Sequence, residues 1–121
     1  MNLSERDLQY NWHPYTQHKT AAPHIAITKG EGALLWDENG KEYIDAIASW
    51  WVNPYGHSNT FIADAIYKQL TTLEHVLFGG FTHEPAVLVA EKLMQLLPTN
   101  QQKLFYSDNG STAVEIAIKV A

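Results

Sequence analysis

The chain is 121 residues long, with 45% hydrophobic and 17% charged residues, the composition of a globular rather than a disordered protein. A net charge of −5 and only eight Lys plus Arg, unclustered, exclude a nucleic-acid or anionic-membrane footprint. The absence of cysteine removes disulfide and thiolate chemistry, and the start Met1–Asp7 lacks a basic segment followed by an apolar run. A cytoplasmic protein without a membrane span is therefore expected.

Residues 1 to about 24 are polar and aromatic, and Asn11-Trp-His-Pro-Tyr-Thr16 and Ala22-Pro23 block regular structure. They predict an arm or short helix followed by an extended segment. Ile25–Thr28 is a short strand candidate. Gly32–Trp36 and Lys41–Asp45 flank Asp37-Glu-Asn-Gly40, a hairpin signal, since Asn-Gly supplies the positive φ that a tight turn needs. From His57 the period changes to that of a helix, with Ile62, Ile66, Leu70 and Leu73 on one side and Ser58 or Asn59 as the cap. After Phe78-Gly-Gly80 a second helix starts near Pro85, carries Ala86, Val89, Ala90, Leu93 and Leu97 on its apolar side, and stops at Pro98. A strand over 103–107, a polar turn and a last helix follow. Ile116, Ile118 and Val120 are still in pattern at the last residue, so the chain reads as the front part of a larger enzyme. The order predicts an α/β fold: an arm and small antiparallel sheet over 1–56, then the start of a larger domain over 57–121.

Four stretches carry possible chemistry. At Ser107-Asp-Asn-Gly110-Ser111-Thr112 a strand delivers Gly-Ser-Thr onto a helix start, where unpaired N–H groups and the helix dipole suit a phosphate. Taken alone, the same residues read first as a plain helix start, with Thr112 and Glu115 as a capping box. They form neither a Walker loop nor G-x-G-x-x-G, so nucleotide-type phosphate capture is not supported. In Ser49-Trp50-Trp51 adjacent indoles face opposite ways in a strand, and in a loop one stays partly exposed. Either they line a flat or cationic ligand, or one is core and one is boundary. Tyr15, in Trp12-His-Pro-Tyr-Thr16, is either a recognition group or part of an aromatic staple for the arm. Phe78-Gly79-Gly80-Phe-Thr-His83 permits close backbone approach to a ligand or subunit, or is a simple connection.

The six histidines are scattered without metal-ligand spacing, so no metal site is expected. None of the seven lysines stands in a setting that marks a Schiff-base former, so no catalytic residue is assigned within these 121 residues.

Taken in order, Trp12-His-Pro-Tyr-Thr, Ser49-Trp-Trp, Phe78-Gly-Gly-Phe-Thr-His and Asp108-Asn-Gly-Ser-Thr-Ala-Val-Glu115 closely resemble the N-terminal part of the class III pyridoxal-phosphate aminotransferases. The first two point to the branch of that class that acts in biotin biosynthesis. The resemblance covers essentially the whole chain but only the front of the family's polypeptide. It implies a fold-type I transferase, pyridoxal 5′-phosphate as cofactor and a homodimer. It also implies amino transfer from S-adenosylmethionine to 8-amino-7-oxononanoate, giving 7,8-diaminononanoate. Gly110 and Ser111, with Thr112 in the same turn, would bind the cofactor phosphate. Trp50 would line the substrate pocket with Trp51 beside it, Tyr15 would contact both substrates, and Gly79-Gly80 would lie at the dimer interface. The Schiff-base lysine of the family would lie beyond Ala121, so the 121-residue chain by itself is expected to be inactive. Alternatives are another class III enzyme acting on ω-amino acids, which the Trp pair and Tyr15 disfavour, or a non-catalytic binding or dimerisation domain.

Overall fold

The computed structural model describes all 121 residues, and its contacts group them into two units, Met1–Thr72 and Leu73–Ala121. The first unit opens with helix α1, Leu3–Tyr10, where Asn2 and Glu5 form a reciprocal capping box. The Glu38 carboxylate, from the hairpin turn, accepts the Leu3 and Ser4 N–H groups at 2.7 and 3.4 Å, and the Ser4 hydroxyl donates to the His24 carbonyl at 2.7 Å. A carboxylate at a helix N-terminus is favoured by the dipole as well as by the bonds, so polar contacts pin the start of the arm.

Strands β1 (Ile27–Glu31), β2 (Leu34–Asp37) and β3 (Glu42–Ile44) form an antiparallel sheet in sequence order. The first strand lies further along the chain than the Ile25–Thr28 expected, because its register pairs Glu31 with Leu34 and Ile27 with Asp37. The expected hairpin is present, with Leu35 opposite Tyr43. Its turn uses Gly40 at φ 79°, a conformation that costs glycine nothing. Asp37, the one buried residue, locks the turn: one carboxylate oxygen accepts the Asn39 and Lys41 N–H groups at 2.9 and 3.0 Å, and the other accepts the Tyr43 hydroxyl at 2.9 Å.

α2, Ala48–Trp51, is a single left-handed turn, with φ of 47°, 47°, 63° and 65° at Ala48, Ser49, Trp50 and Trp51. Neither the strand nor the loop considered for Ser49–Trp51 is formed. α3, Thr60–Thr72, starts on Asn59, whose side-chain oxygen accepts the Ile62 N–H at 3.2 Å, as expected for one of the two candidate caps.

In the second unit α4, Glu84–Met94, is capped by His83 through the Ala86 N–H and has Pro85 in its first turn. It stops before the expected Leu97; Leu96 and Leu97 continue as a turn on the Leu93 carbonyl. α5 spans Gly110–Val120. The strand expected over 103–107 is not formed: the segment is irregular and no strand lies beside it. A strand exists only as part of a ladder, so an apolar run without a partner cannot complete one. The Tyr106 hydroxyl instead donates to the Ala86 carbonyl, and its ring meets Phe78 edge-on at 5.6 Å.

No hydrophobic side chain is fully buried in either unit. α3, α4 and α5, amphipathic by sequence, contain no buried residue.

Candidate cofactor and substrate site

At the start of α5 the cap is Asn109, not Thr112. Its side-chain oxygen accepts the Thr112 N–H at 3.0 Å, and the Thr112 hydroxyl contacts the Asn109 N–H at 3.3 Å and the Ser107 hydroxyl at 2.5 Å. The capping box is thus one turn earlier than the Thr112–Glu115 pattern suggests, and Glu115 pairs with Lys119 at 2.8 Å instead. The shift settles which groups are available. Thr112 is committed to the cap. Gly110 and Ser111 become the first two helical residues, whose N–H groups have no acceptor inside a helix. Both are exposed, and space around Gly110 is open, with no atom within 4 Å of where a Cβ would stand. Two outward amides, a free Ser111 hydroxyl and the positive helix end form an anion cup of the chemistry a phosphate monoester requires. The residues present fit such a group.

Within the first unit the structure brings Tyr15 and Trp50 together, with ring centroids 6.0 Å apart and planes tilted by 43°. Both residues sit on left-handed backbone, Tyr15 at φ 57° and Trp50 at φ 63°. Both rings are largely exposed, at 91% and 62%, so they form a wall rather than a core. Trp51, beside Trp50, is 77% exposed and has no ring partner. In the second unit Gly80 has φ 99° with open space around it, and Gly79 only grazes the Leu77 side chain at 3.8 Å.

The arrangement that holds the wall is not apparent from the motifs. Four consecutive left-handed residues that are not glycine cost about 1–2 kcal/mol each. The turn closes its own backbone bonds, from Trp51 N–H to the Ile47 carbonyl at 2.9 Å and from Asn53 N–H to the Ala48 carbonyl at 3.0 Å. Beneath it Asp45 accepts the Ser49 hydroxyl at 2.6 Å and faces His57 Nε2 at 2.8 Å. The Ser49 hydroxyl and amide, then His57, bring the Asp45 carboxyl down to about 2. His57 is itself docked: its backbone exchanges two hydrogen bonds with Gly32 at 3.1 and 2.8 Å, and its ring lies over Gly30. A Cβ on Gly30 would stand 2.8 Å from the His57 Cβ, so only glycine leaves that slot. The sequence signal for this network is an Asp, a Ser four residues on and a His twelve residues on, too common a pattern to be informative by itself.

Over residues 15–121 the chain matches the model of the aminotransferase class-III family, and it belongs to that family. Among curated relatives it is 49% identical over 110 residues to the adenosylmethionine-8-amino-7-oxononanoate aminotransferase of Synechococcus elongatus, covering 91% of this chain and 26% of that protein. It is 45% identical over 121 residues to the enzyme of the same name from Staphylococcus aureus, covering 98% and 27%. The chain thus spans about a quarter of the length of the curated relatives it matches. Among solved structures, the aminotransferase of that name from Methanocaldococcus jannaschii superposes with a TM-score of 0.89 at 42% identity, over 97% of this chain and 27% of that one. An ω transaminase from Pseudomonas jessenii, in complex with PMP, also gives 0.89, at 35% identity over 98% and 27%. The fold expected from sequence, an arm and a small antiparallel sheet opening an α/β transferase, is the one these transaminases share over this segment. No helix is long and apolar enough to cross a membrane.

Proposed function

We propose that this chain is the front segment of a pyridoxal-phosphate aminotransferase that moves the amino group of S-adenosylmethionine to 8-amino-7-oxononanoate, giving 7,8-diaminononanoate in biotin synthesis. The observation that carries the reading is the α5 start: two exposed amides and a hydroxyl, at Gly110 and Ser111, without acceptors of their own, in a chain of the class III family. Pyridoxal phosphate, when bound, supplies the electron sink that amino transfer needs. The residues here orient it: the amides of Gly110 and Ser111 and the Ser111 hydroxyl hold the phosphate, while Thr112, tied to Asn109 and Ser107, keeps the cup rigid.

Tyr15 and Trp50 form the substrate wall in this reading, with Trp51 beside them. A tilted ring pair offers its faces to a sulfonium cation and an adenine, and its edges to an aliphatic keto-amine. Gly79-Gly80 is assigned to a homodimer contact, the division into small and large domains to 56/57, and the compartment to the cytoplasm. An ω-amino acid aminotransferase is the second reading, supported by the equal TM-score of the Pseudomonas jessenii enzyme; the higher identities to the biotin-pathway enzymes favour the first.

The test is Gly110→Pro. Proline is tolerated at the first helical position, and Asn109 already has the extended backbone that precedes a proline, so α5 keeps its start while one amide donor is deleted. One hydrogen bond to a charged group is worth about 1.5–3 kcal/mol, so pyridoxal-phosphate affinity should fall about 10- to 100-fold with an unchanged far-ultraviolet spectrum. Equal affinity in the two proteins would remove the phosphate cup from the reading. The chain on its own is expected to form no diaminononanoate; product formed by the purified chain would contradict that.

A further inference from the structure

The left-handed turn poses a problem that its own residues do not solve. Ala-Ser-Trp-Trp contains no glycine or asparagine, the residues that occupy this region readily, and isolated left-handed turns of bulky residues are unfavourable. Something outside Ala48–Trp51 must over-determine it. The groups in position are few. Asp45 lies three residues before the turn, its side chain 6% exposed, and is bonded to the Ser49 hydroxyl inside it. His57, 16% exposed, closes on the same carboxylate oxygen that accepts the Ser49 hydroxyl, and Asn53 Nδ2 stands 3.4 Å from its Nδ1. Gly30 of β1 leaves the slot for the His57 side chain, and Gly32, just past the strand, supplies the two backbone bonds that seat His57.

We propose that Asp45 and His57 are positioning residues, a latch that holds Ala48–Trp51 left-handed and so sets the Trp50 ring against Tyr15. Neither touches the ring pair itself. They act through the backbone: Asp45 ties the turn from below, and His57 ties Asp45 to the sheet. The latch stands on geometry alone; its consequence for substrate binding rests on the reading of Tyr15 and Trp50 given above.

The experiment uses the 121-residue chain with 5-fluorotryptophan at Trp12, Trp36, Trp50 and Trp51, the signals assigned by single Trp→Phe replacements. In Asp45→Asn and His57→Leu the Trp50 and Trp51 signals should move or broaden while that of Trp36, on β2, stays. His57→Gln keeps an N–H donor where Nε2 stands and should restore them. Ala48→Gly added to Asp45→Asn should also recover them, since glycine removes part of the cost the latch offsets. Unmoved Trp50 and Trp51 signals in both Asp45→Asn and His57→Leu would overturn the proposal. Should Asp45→Asn disturb Trp36 as well, Ser49→Ala decides: it deletes only the 2.6 Å hydroxyl bond, and a moved Trp50 signal supports the latch while an unmoved one rejects it.

Titration with S-adenosylmethionine addresses the substrate wall separately. The wild-type Trp50 signal should respond, and Asp45→Asn should weaken that response by about tenfold or more, the scale of loss when a binding group is displaced. A silent wild type would count against the wall reading, and the latch would still be decided by the variant signals.

Discussion

In residues 1–72 a carboxylate stands at three places where the backbone needs support. Glu38 holds the start of α1, Asp37 the hairpin turn and Asp45 the left-handed α2. In residues 73–121 the comparable work is done by caps three residues away in sequence, His83 for α4 and Asn109 for α5. The first unit therefore ties together positions far apart in the chain, 35 residues apart for Leu3 and Glu38 and 28 for Ser58 and the Gly30 carbonyl. The second starts each helix from local rules, and no residue of α4 or α5 is buried. Polar clamps of the first kind define the direction of individual side chains, such as the Trp50 ring that meets Tyr15. Local caps of the second kind define only where a helix starts and which of its first amides point outward.

The largest effect separating the two units should come from acid. The Ser49 hydroxyl and amide, then His57, hold Asp45 at about 2 against an ordinary 3.8. Hydrogen bonds from the Asn11 and His13 side chains lower Asp7, and at Asp37 the Lys41, Tyr43 and Asn39 donors outweigh the opposing effect of burial. A carboxyl depressed in the folded state adds stability that is complete above its ordinary value and disappears as pH falls through the folded value. Titration from pH 3.8 towards about 2 should therefore melt the Trp36, Trp50 and Trp51 environments of the first unit cooperatively, and Asp45→Asn should flatten the transition. A transition of the same size and midpoint in Asp45→Asn would break the comparison.

Gly56→Ala comes next. Gly56 has φ 84°, and a Cβ there would stand 3.1 Å from the Gly32 Cα, a backbone atom that cannot swing aside. Left-handed strain and overpacking together predict a loss of about 2–5 kcal/mol in chemical denaturation of the first unit. Asn109→Ala removes the α5 cap and should cost about 1 kcal/mol, read as lower helicity in the second unit alone. Smallest is Val87→Ser in α4: the side chain is 43% exposed, so the change should stay within about 0.5 kcal/mol in the chain by itself. A loss several times larger would mean that the apolar side of α4 is covered, for instance by a second copy.

How much of this was legible in the sequence depends on distance along the chain. The Asp37–Gly40 hairpin, the Asn59 start of α3 and the Pro85 start of α4 are each determined within four or five residues, and the pattern locates all three. The start of α5 is legible in kind but not in detail. Asn109 and Thr112 compete to cap α5, both by local rules, and the structure gives the role to Asn109, which frees Gly110 and Ser111 and occupies Thr112. The strand expected over 103–107 fails because hydrophobic content identifies a segment able to enter a sheet, while a ladder needs a neighbour. β1 sits at Ile27–Glu31 because β2 dictates the register.

By itself, then, the sequence determined the turns, the helix periods and the family, since each is written in neighbouring residues or in motifs taken in order. Only the tertiary structure decided that Ala48–Trp51 winds left-handed and that Trp50 meets Tyr15. Local sterics oppose that conformation, and the bonds that overcome them come from Asp45, His57 and the β1 edge, whose approach to the turn no short pattern encodes.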